Sequence, residues 1–254
     1  MMKKKLSLVL ALVLIMTGCD VMECENVQSS EVTFLIDISD PKLFEEASDD
    51  IKSNLSKFMS GLGLAAVGEC QQLTVNIAPL SARDELKMSS ETIGVNQQGL
   101  SRKQVREMSN PRPIIQMISR SLSEYDGLKE LDDYNSGSSI GNQILKAMLQ
   151  MKGSGQSTLV IISDLISHDE RFSLYKRIPS EIDTEVMESV FDARLLDEFS
   201  RTYSTAEAPS ITLVQLQAVE SHMRAKRGAL ASFWKAVLAE GLGQDVTIVD
   251  NLSH

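Results

Sequence analysis

Two stretches of the chain, residues 32–36 and residues 158–162, are rich in β-branched and other hydrophobic residues and show no regular polar alternation. Such runs predict strands that are covered on both faces, as in a parallel sheet. The first run stops abruptly at Asp37 and Ser39, and the second is followed by Ser163 and Asp164. Further strands are predicted at residues 73–77, 211–216 and 246–249, with a short edge strand at 92–95.

Between these strands, apolar residues recur at the three- and four-residue spacing of amphipathic helices. The predicted helices are residues 42–60, 113–122, 140–149 and 218–240, with one or two helical turns at 101–108. An acidic insertion, residues 168–209, has apolar residues every four positions, which predicts that part of it packs as a helix. Strands that alternate with helices predict an α/β fold, with a doubly wound, mostly parallel sheet flanked by helices.

Three polar segments are expected at one edge of this sheet. Asp37 and Ser39 leave one strand, Asp164 leaves another, and Ser138 lies in the glycine-bounded loop that opens the intervening helix. In a doubly wound sheet the carboxyl edge is the usual position of a ligand. Carboxylates and hydroxyls without His or Cys suit Mg²⁺ or another hard divalent cation.

Each of these four residues also has a purely structural interpretation. Ser39 and Ser138 are of a type that commonly caps helices. Asp37 and Asp164 stand at strand ends, where an aspartate commonly accepts backbone N–H bonds in a turn. The joint placement of four oxygen-bearing side chains at one edge is what favours a binding site.

The amino terminus has the pattern of a secretory signal. Three lysines at residues 3–5 precede an apolar run, residues 6–16, which is too short to span a bilayer. The segment that follows, Thr17-Gly18-Cys19, resembles the end of the lipobox of bacterial lipoproteins, although Met16 stands where Leu is usual. The resemblance implies removal of residues 1–18 and lipidation, with palmitate, of Cys19; the alternative is ordinary secretion.

The residue after Cys19 bears on the membrane to which the chain is tethered. Asp20 resembles the signal that retains enterobacterial lipoproteins at the inner membrane, which implies a periplasmic protein held there through its lipid. The alternative is that Asp20 is an ordinary residue of a tether over residues 19–30. Loss of residues 1–18 removes three lysines and no acid, so the formal charge changes from −10 to −13. This balance argues against nucleic acid as a partner.

Two cysteines, Cys24 and Cys70, remain in the predicted mature chain, and each lies shortly before a predicted strand. In an oxidising compartment an even pair is typical of a disulfide. If the two strands are parallel neighbours, both cysteines lie at the same end of the sheet. The alternative is a pair of buried thiols.

The order of these motifs resembles a von Willebrand factor A domain, and the resemblance covers the proposed domain, residues 31–254, almost completely. That family carries a metal-ion-dependent adhesion site, Asp-x-Ser-x-Ser with a distant Thr and Asp. By position, Asp37 and Ser39 match its first two ligands, and Asp164 matches the last. Ser138 stands in place of the Thr. The second Ser falls on Pro41, so the resemblance implies a degenerate site, in which Asp40 is the candidate substitute.

These features lead to three hypotheses about function. The first is a membrane-tethered periplasmic protein-binding or assembly module, in which a divalent metal recognises a carboxylate of the partner. The second is a structural component of the envelope or of a DNA-transfer apparatus, with a vestigial metal site. The third is a hydrolase that uses His168; the sequence contains no Walker loop and no dinucleotide-binding glycine fingerprint, and it identifies no nucleophile for this histidine. We therefore expect a non-enzymatic protein.

Overall fold

A computed structural model describes residues 24–61, 70–81, 86–94, 97–128, 137–151, 156–204 and 207–252. The predicted signal sequence and the proposed lipidation site, Cys19, lie outside the described residues. Within the described ranges, no helix has both the length and the apolar composition needed to cross a membrane.

Six strands form one sheet in the order β3-β2-β1-β4-β5-β6. All neighbouring pairs are parallel except β2 and β3, which are antiparallel. The prediction of an α/β fold with a mostly parallel sheet is therefore confirmed. The strands are β1 (Gln28–Asp37), β2 (Gln71–Leu80), β3 (Ser89–Ile93), β4 (Gln156–Ser163), β5 (Ser210–Gln215) and β6 (Val246–Val249).

Eight helices in the described residues cover the two faces of the sheet or extend from it. They are α1 (Pro41–Gly61), α2 (Arg102–Met108), α3 (Arg112–Leu128), α4 (Ile140–Gln150), α5 (Thr184–Val190), α6 (Ala193–Thr202), α7 (Ser221–Arg224) and α8 (Arg227–Leu242).

The strands are buried on both faces because each face supplies a separate hydrophobic core. Alternate residues of β1 point in opposite directions, so Phe34 packs with α1 and α3, whereas Leu35 packs with α4 and α8. Both side chains are fully buried. This two-sided burial explains the lack of polar alternation in β1 and β4.

The insertion, residues 168–209, packs against the hydrophobic core that contains Leu35, α4 and α8. A Cβ atom added at Gly141 of α4 would lie 2.6 Å from the carbonyl oxygen of Val190, the last residue of α5. Because backbone meets backbone at this point, only glycine fits without a shift of one helix. Phe191 and Phe199 of the insertion are buried in the same core.

Several boundaries differ from the sequence-based expectations; α3, for example, continues to Leu128 rather than ending at residue 122, and β2 spans Gln71–Leu80 rather than 73–77. β1 begins at Gln28, so the last three residues of the predicted tether belong to the sheet. The edge strand lies at Ser89–Ile93, three residues earlier than predicted, and pairs antiparallel to β2. The helical part of the insertion is two helices, because Asp192 caps a new helix with bonds from the N–H groups of Arg194 and Leu195. The predicted helix 218–240 is a four-residue α7 followed by α8.

Candidate functional site

The strand order reverses between β1 and β4, since β2 and β3 lie on one side of this pair and β5 and β6 on the other. Such a switch point leaves a crevice at the carboxyl ends of the two central strands. The register pairs Ile36 with Ile162, so Asp37 and Ser163 stand next to each other at this edge. The candidate site is built on these two strand ends.

Asp37 is fully buried and accepts hydrogen bonds on both carboxylate oxygens. The Ser39 hydroxyl donates to Oδ1 at 2.6 Å, and the Ser39 backbone N–H donates to the same oxygen at 3.0 Å. The Ser163 hydroxyl donates to Oδ2 at 2.6 Å. Asp37 is therefore held rigidly by two serines, one from each side of the switch point.

Asp164 follows β4 and is 3% exposed. Its Oδ1 accepts the backbone N–H of Ile166 at 2.9 Å, which is the turn-type bond that the structural interpretation of this residue requires. Its other carboxylate oxygen has no hydrogen-bond donor among the described residues. One oxygen of Asp164 thus supports the turn, and the other is available at the crevice.

The two carboxylates are close enough to perturb each other. Burial raises the pKa of Asp164 to about 8 from an ordinary 3.8, and the negative charge of Asp37 adds to the effect. Burial also raises the pKa of Asp37, against the opposing effect of its serine hydrogen bonds. Neither carboxylate pairs with a Lys, Arg or His side chain within the described part of the chain. The site therefore holds two buried acids without a compensating cation from those residues.

Ser138 lies at the same edge but its hydroxyl points to the backbone. It is 1% exposed, and its Oγ donates to the Ile166 carbonyl at 3.3 Å. The Ser138 carbonyl in turn accepts from the His168 N–H at 2.8 Å and the Ser167 hydroxyl at 3.1 Å. Gly137, with φ of 122°, permits this close approach. Ser138 thus joins the segment before α4 to the segment after Asp164.

Pro41, which stands where the adhesion-site pattern has its second serine, is the first residue of α1. Asp40 caps α1, because its Oδ1 accepts the backbone N–H of Lys42 at 2.7 Å and that of Leu43 at 3.4 Å. The capping role considered for Ser39 therefore belongs to Asp40. Asp40 is half-buried, and its charge contributes to the raised pKa of both Asp37 and Asp164.

The residue after Asp164 adopts a backbone conformation that favours glycine. Leu165 has φ of 66° and is fully buried. Its N–H donates to the Ser163 hydroxyl at 2.9 Å, and its carbonyl accepts the Trp234 indole N–H at 2.8 Å. A left-handed conformation costs a branched residue about 1–2 kcal/mol, and these two bonds hold it in place. The turn that contains Asp164 is thus held by a hydrogen bond to the end of β4 and by another to α8.

A polar crevice of about 340 Å³ lies beside Asp164, between the ends of β4, β5 and β6. Arg224 and Arg227, which are three positions apart in the sequence, both line it. Arg224 donates to the carbonyls of Ala218 and Val219, and Arg227 donates to Asp250 at 2.7 Å. The two arginines therefore hold the rim of the crevice.

The oxygen atoms at this site are of the type that binds a hard cation, but they are too few to fill its coordination shell. The carboxylates of Asp37 and Asp164 and the hydroxyls of Ser39 and Ser163 are oxygen ligands of the type that Mg²⁺ takes. No three His, Cys, Asp or Glu side chains of the described residues form a group that could hold a metal ion. An ion held here would keep several positions for water or for a partner's oxygens, since the chain supplies few charged ligands.

Neither a protein-family model nor a curated protein matches the chain. Solved structures do match it, at low identity. Proximal thread matrix protein 1 from the mussel byssus is 10% identical, with a TM-score of 0.42; the match covers 91% of this chain and 46% of that one. The pilus adhesin SpaC from Lactobacillus rhamnosus GG is 10% identical, with a TM-score of 0.44 and coverage of 90% and 29%. The human COPII-coat protein Sec24c is 9% identical, with a TM-score of 0.42 and coverage of 88% and 29%.

This chain therefore spans less than half the length of each of these matched structures. Their similarity to it carries no argument about function at these scores. The site has to be interpreted from its own geometry.

Sequence reasoning missed Ser163, although its hydroxyl contacts Asp37 as closely as that of Ser39. Aligning the carboxyl ends of the two hydrophobic runs would have found it, because parallel strands that end together place Asp37 beside Ser163. It also missed Tyr175, whose pKa is raised by burial and by the nearby charges of Asp164 and Glu220. Tyr175 comes from the insertion, and no local pattern relates it to the edge.

The segment Gly137-Ser138-Ser139-Ile140-Gly141 also has the spacing of a Gly-x-Ser-x-Gly nucleophile elbow. The described residues before Ser139 do not continue a strand of the sheet, and Ser139 is the N-cap residue of α4. Its Oγ accepts from the Asn142 amide at 3.3 Å. The imidazole Nδ1 of His168 lies 3.0 Å from the Ser173 hydroxyl, and the ring packs edge-on against Tyr175. The serine and the histidine thus have separate partners.

The two cysteines meet at the opposite edge. Cys24 and Cys70 form a disulfide, with Cα atoms 5.4 Å apart. Cys70 immediately precedes β2, and its carbonyl accepts the N–H of Gln28, the first residue of β1, at 2.9 Å. The disulfide therefore lies at the amino edge of the sheet, a full strand length away from Asp37.

Proposed function

We propose that this chain is a periplasmic protein-binding module, tethered to the inner membrane by a lipid on Cys19, with a von Willebrand factor A-like domain. Its candidate site recognises a carboxylate of a protein partner through a divalent cation at the carboxyl edge of the sheet. The order of strands and the placement of Asp37, Ser39 and Asp164 at the switch point support the comparison with that family.

The observation that carries the proposal is the pair of buried carboxylates without a basic partner among the described residues. Burying two like charges is costly unless one takes a proton or a cation neutralises both. A bound Mg²⁺ supplies that charge and an open position for an Asp or Glu of the partner. Asp37 and Asp164 are the residues that would hold it, directly or through water.

The serines orient this pair. Ser39 and Ser163 each donate to a different oxygen of Asp37, which fixes the plane of its carboxylate at the switch point. Ser138 has a positioning role, because its contacts with Ile166 and His168 hold the segment that follows Asp164. The insertion, residues 168–209, and the polar stretch, residues 80–110, border the domain as the surfaces on which partner specificity would depend.

Affinity capture from solubilised envelopes tests this proposal. The tagged full chain, with Mg²⁺ present, should retain a partner that a chelator releases. The isosteric Asp37→Asn variant should retain none, because one of the two charges that hold the ion is gone. As a matched control, Asp245→Asn, which alters an exposed residue immediately before β6 at the amino edge, should retain the partner as the wild type does.

A second candidate function is a structural component with a vestigial metal site. The hydrogen bonds of Ser138 to Ile166 and of Asp40 to the start of α1 favour it, because both potential ligands already have structural partners. In that case capture of a partner would be insensitive to the chelator and to Asp37→Asn. Incorporation of labelled palmitate into the wild type, and its loss in Cys19→Ala, tests the lipid anchor separately.

A further inference from the structure

The disulfide and the candidate site lie at opposite ends of β1, and this separation has a consequence for the tethered protein. The register runs from Gln28 beside Gln71 to Asp37 beside Leu80. The ten residues of β1 therefore span about 30 Å, at about 3.3 Å a residue. The Cys24–Cys70 bond is at one end of this span and Asp37 is at the other.

The amino edge is held firmly around the disulfide. The Cys70 N–H donates to the Gln97 side chain at 2.6 Å, and the Gln97 amide donates to the Gln71 carbonyl at 2.6 Å. Gln97 is itself 3% exposed. Because Cys24 is bonded to this buried junction, it belongs to the folded body, and the segment that joins this body to Cys19 ends at Cys24.

The length of the tether then limits how the body can turn. Five residue steps separate Cys19 from Cys24, and a fully extended chain covers at most about 3.6 Å a residue, or about 18 Å. Without the disulfide the tether would run to Gln28, where β1 begins, and nine steps would reach about 32 Å. The disulfide thus shortens the reach of the tether by nearly half.

For the carboxyl edge to face the anchoring membrane, the amino edge must stand at least the length of β1, about 30 Å, above it. A tether of about 18 Å forbids that orientation, whereas one of about 32 Å would allow it.

We infer that the Cys24–Cys70 disulfide prevents the lipid-anchored protein from turning the carboxyl edge, with Asp37 and Asp164, squarely toward its own membrane. The partner it fits is a carboxylate-bearing protein domain in the aqueous space above the bilayer. This inference rests on the proposed lipid anchor at Cys19.

Energy transfer to a bilayer tests the orientation. The full lipidated chain is reconstituted into phosphatidylethanolamine and phosphatidylglycerol vesicles that carry an acceptor lipid. A clickable amino acid with a donor dye replaces one of two exposed residues: Gln156, which begins β4 at the amino edge, or Lys42, in the first turn of α1 at the carboxyl edge. Strong transfer from position 156 and weak transfer from position 42 are expected.

Two variants lengthen the tether in different ways. In Cys24→Ser with Cys70→Ser, the difference between the two probes should be lost. Insertion of eight Gly and Ser residues after Asp20, with the disulfide intact, should have the same effect without any change to the fold. Equal transfer from both probes in the wild type, or a difference that survives in both variants, would overturn the inference. If neither probe shows energy transfer and the protein does not bind the vesicles, the result would instead count against the lipid anchor.

Discussion

Removing the charge of Asp164 should stabilise the metal-free protein at neutral pH. The change Asp164→Asn keeps the shape of the side chain and the acceptor for the Ile166 N–H. It removes a carboxylate that is 3% exposed and faces another buried acid, Asp37. The prediction is that this substitution, in a site proposed to bind a cation, increases the free energy of unfolding when no cation is present.

The magnitude follows from the difference in pKa between the folded and unfolded states. Burial and the charge of Asp37 raise the folded pKa of Asp164 to about 8, against 3.8 when exposed. Between these two pH values the folded state keeps a proton that the unfolded state releases. The free energy of unfolding is therefore unaffected by Asp164 below pH 3.8, and it decreases as the pH rises from 3.8 to about 8. At about 1.4 kcal/mol a pH unit, the wild type has lost about 4 kcal/mol by pH 7. The pKa of Asp37 shifts in the same direction.

Urea unfolding at pH 5, 7 and 9 in the presence of a chelator measures this difference. The variant should exceed the wild type by a margin that grows with pH. Saturating Mg²⁺, at about 100 times its Kd, should recover about 2.7 kcal/mol for the wild type alone. The exposed control Asp183→Asn should show no such dependence on pH or Mg²⁺. The reasoning is refuted if Asp164→Asn is no more stable than the wild type at any of these pH values.

Five further substitutions, at four positions, test the support of the site and the packing of the insertion by urea unfolding. Trp234→Phe should cost about 1–3 kcal/mol, because the Leu165 carbonyl loses its buried donor; an unchanged midpoint would contradict this. Leu165→Gly should be more stable than Leu165→Ala by about 1 kcal/mol, the reverse of the usual order, because φ is 66°. Gly141→Ala should cost about 1–3 kcal/mol through overlap with Val190. Gly228→Ala, which meets nothing within 4 Å, should be neutral or stabilising by about 0.5 kcal/mol.

The sheet was predictable because its hydrophobic runs carry their own signal. Residues 32–36 and 158–162 lack polar alternation, and the structure shows why: Phe34 and Leu35, on opposite faces of β1, belong to two different cores. The helix boundaries near the carboxyl terminus were not predictable in the same way. The turn between α7 and α8 has no Gly or Pro, and it falls within an apolar pattern that continues through Met223 and Leu230.

The location of the site residues at one edge of the sheet could be predicted from the sequence, but their hydrogen-bond partners could not. That Asp37, Ser39 and Asp164 lie at one edge follows from parallel strands that end together. That the Ser138 hydroxyl bonds to the Ile166 carbonyl depends on a bridge between segments 28 residues apart, and residue type alone does not determine that choice of partner. Tyr175, which belongs to the insertion, lies close enough to Asp164 for that charge to raise its pKa, a tertiary relation without a local sequence signal.

Calorimetric titration of Mg²⁺ and Mn²⁺ into the purified full chain tests the proposed cation site most directly. If Asp37 and Asp164 form such a site, the wild type should show saturable binding of one ion per chain, accompanied by release of protons at pH 7 because the raised pKa of Asp164 keeps it partly protonated. Asp37→Asn should abolish that binding, and Asp183→Asn should leave it intact. No saturable heat in the wild type, or equal heat in Asp37→Asn, would contradict the account.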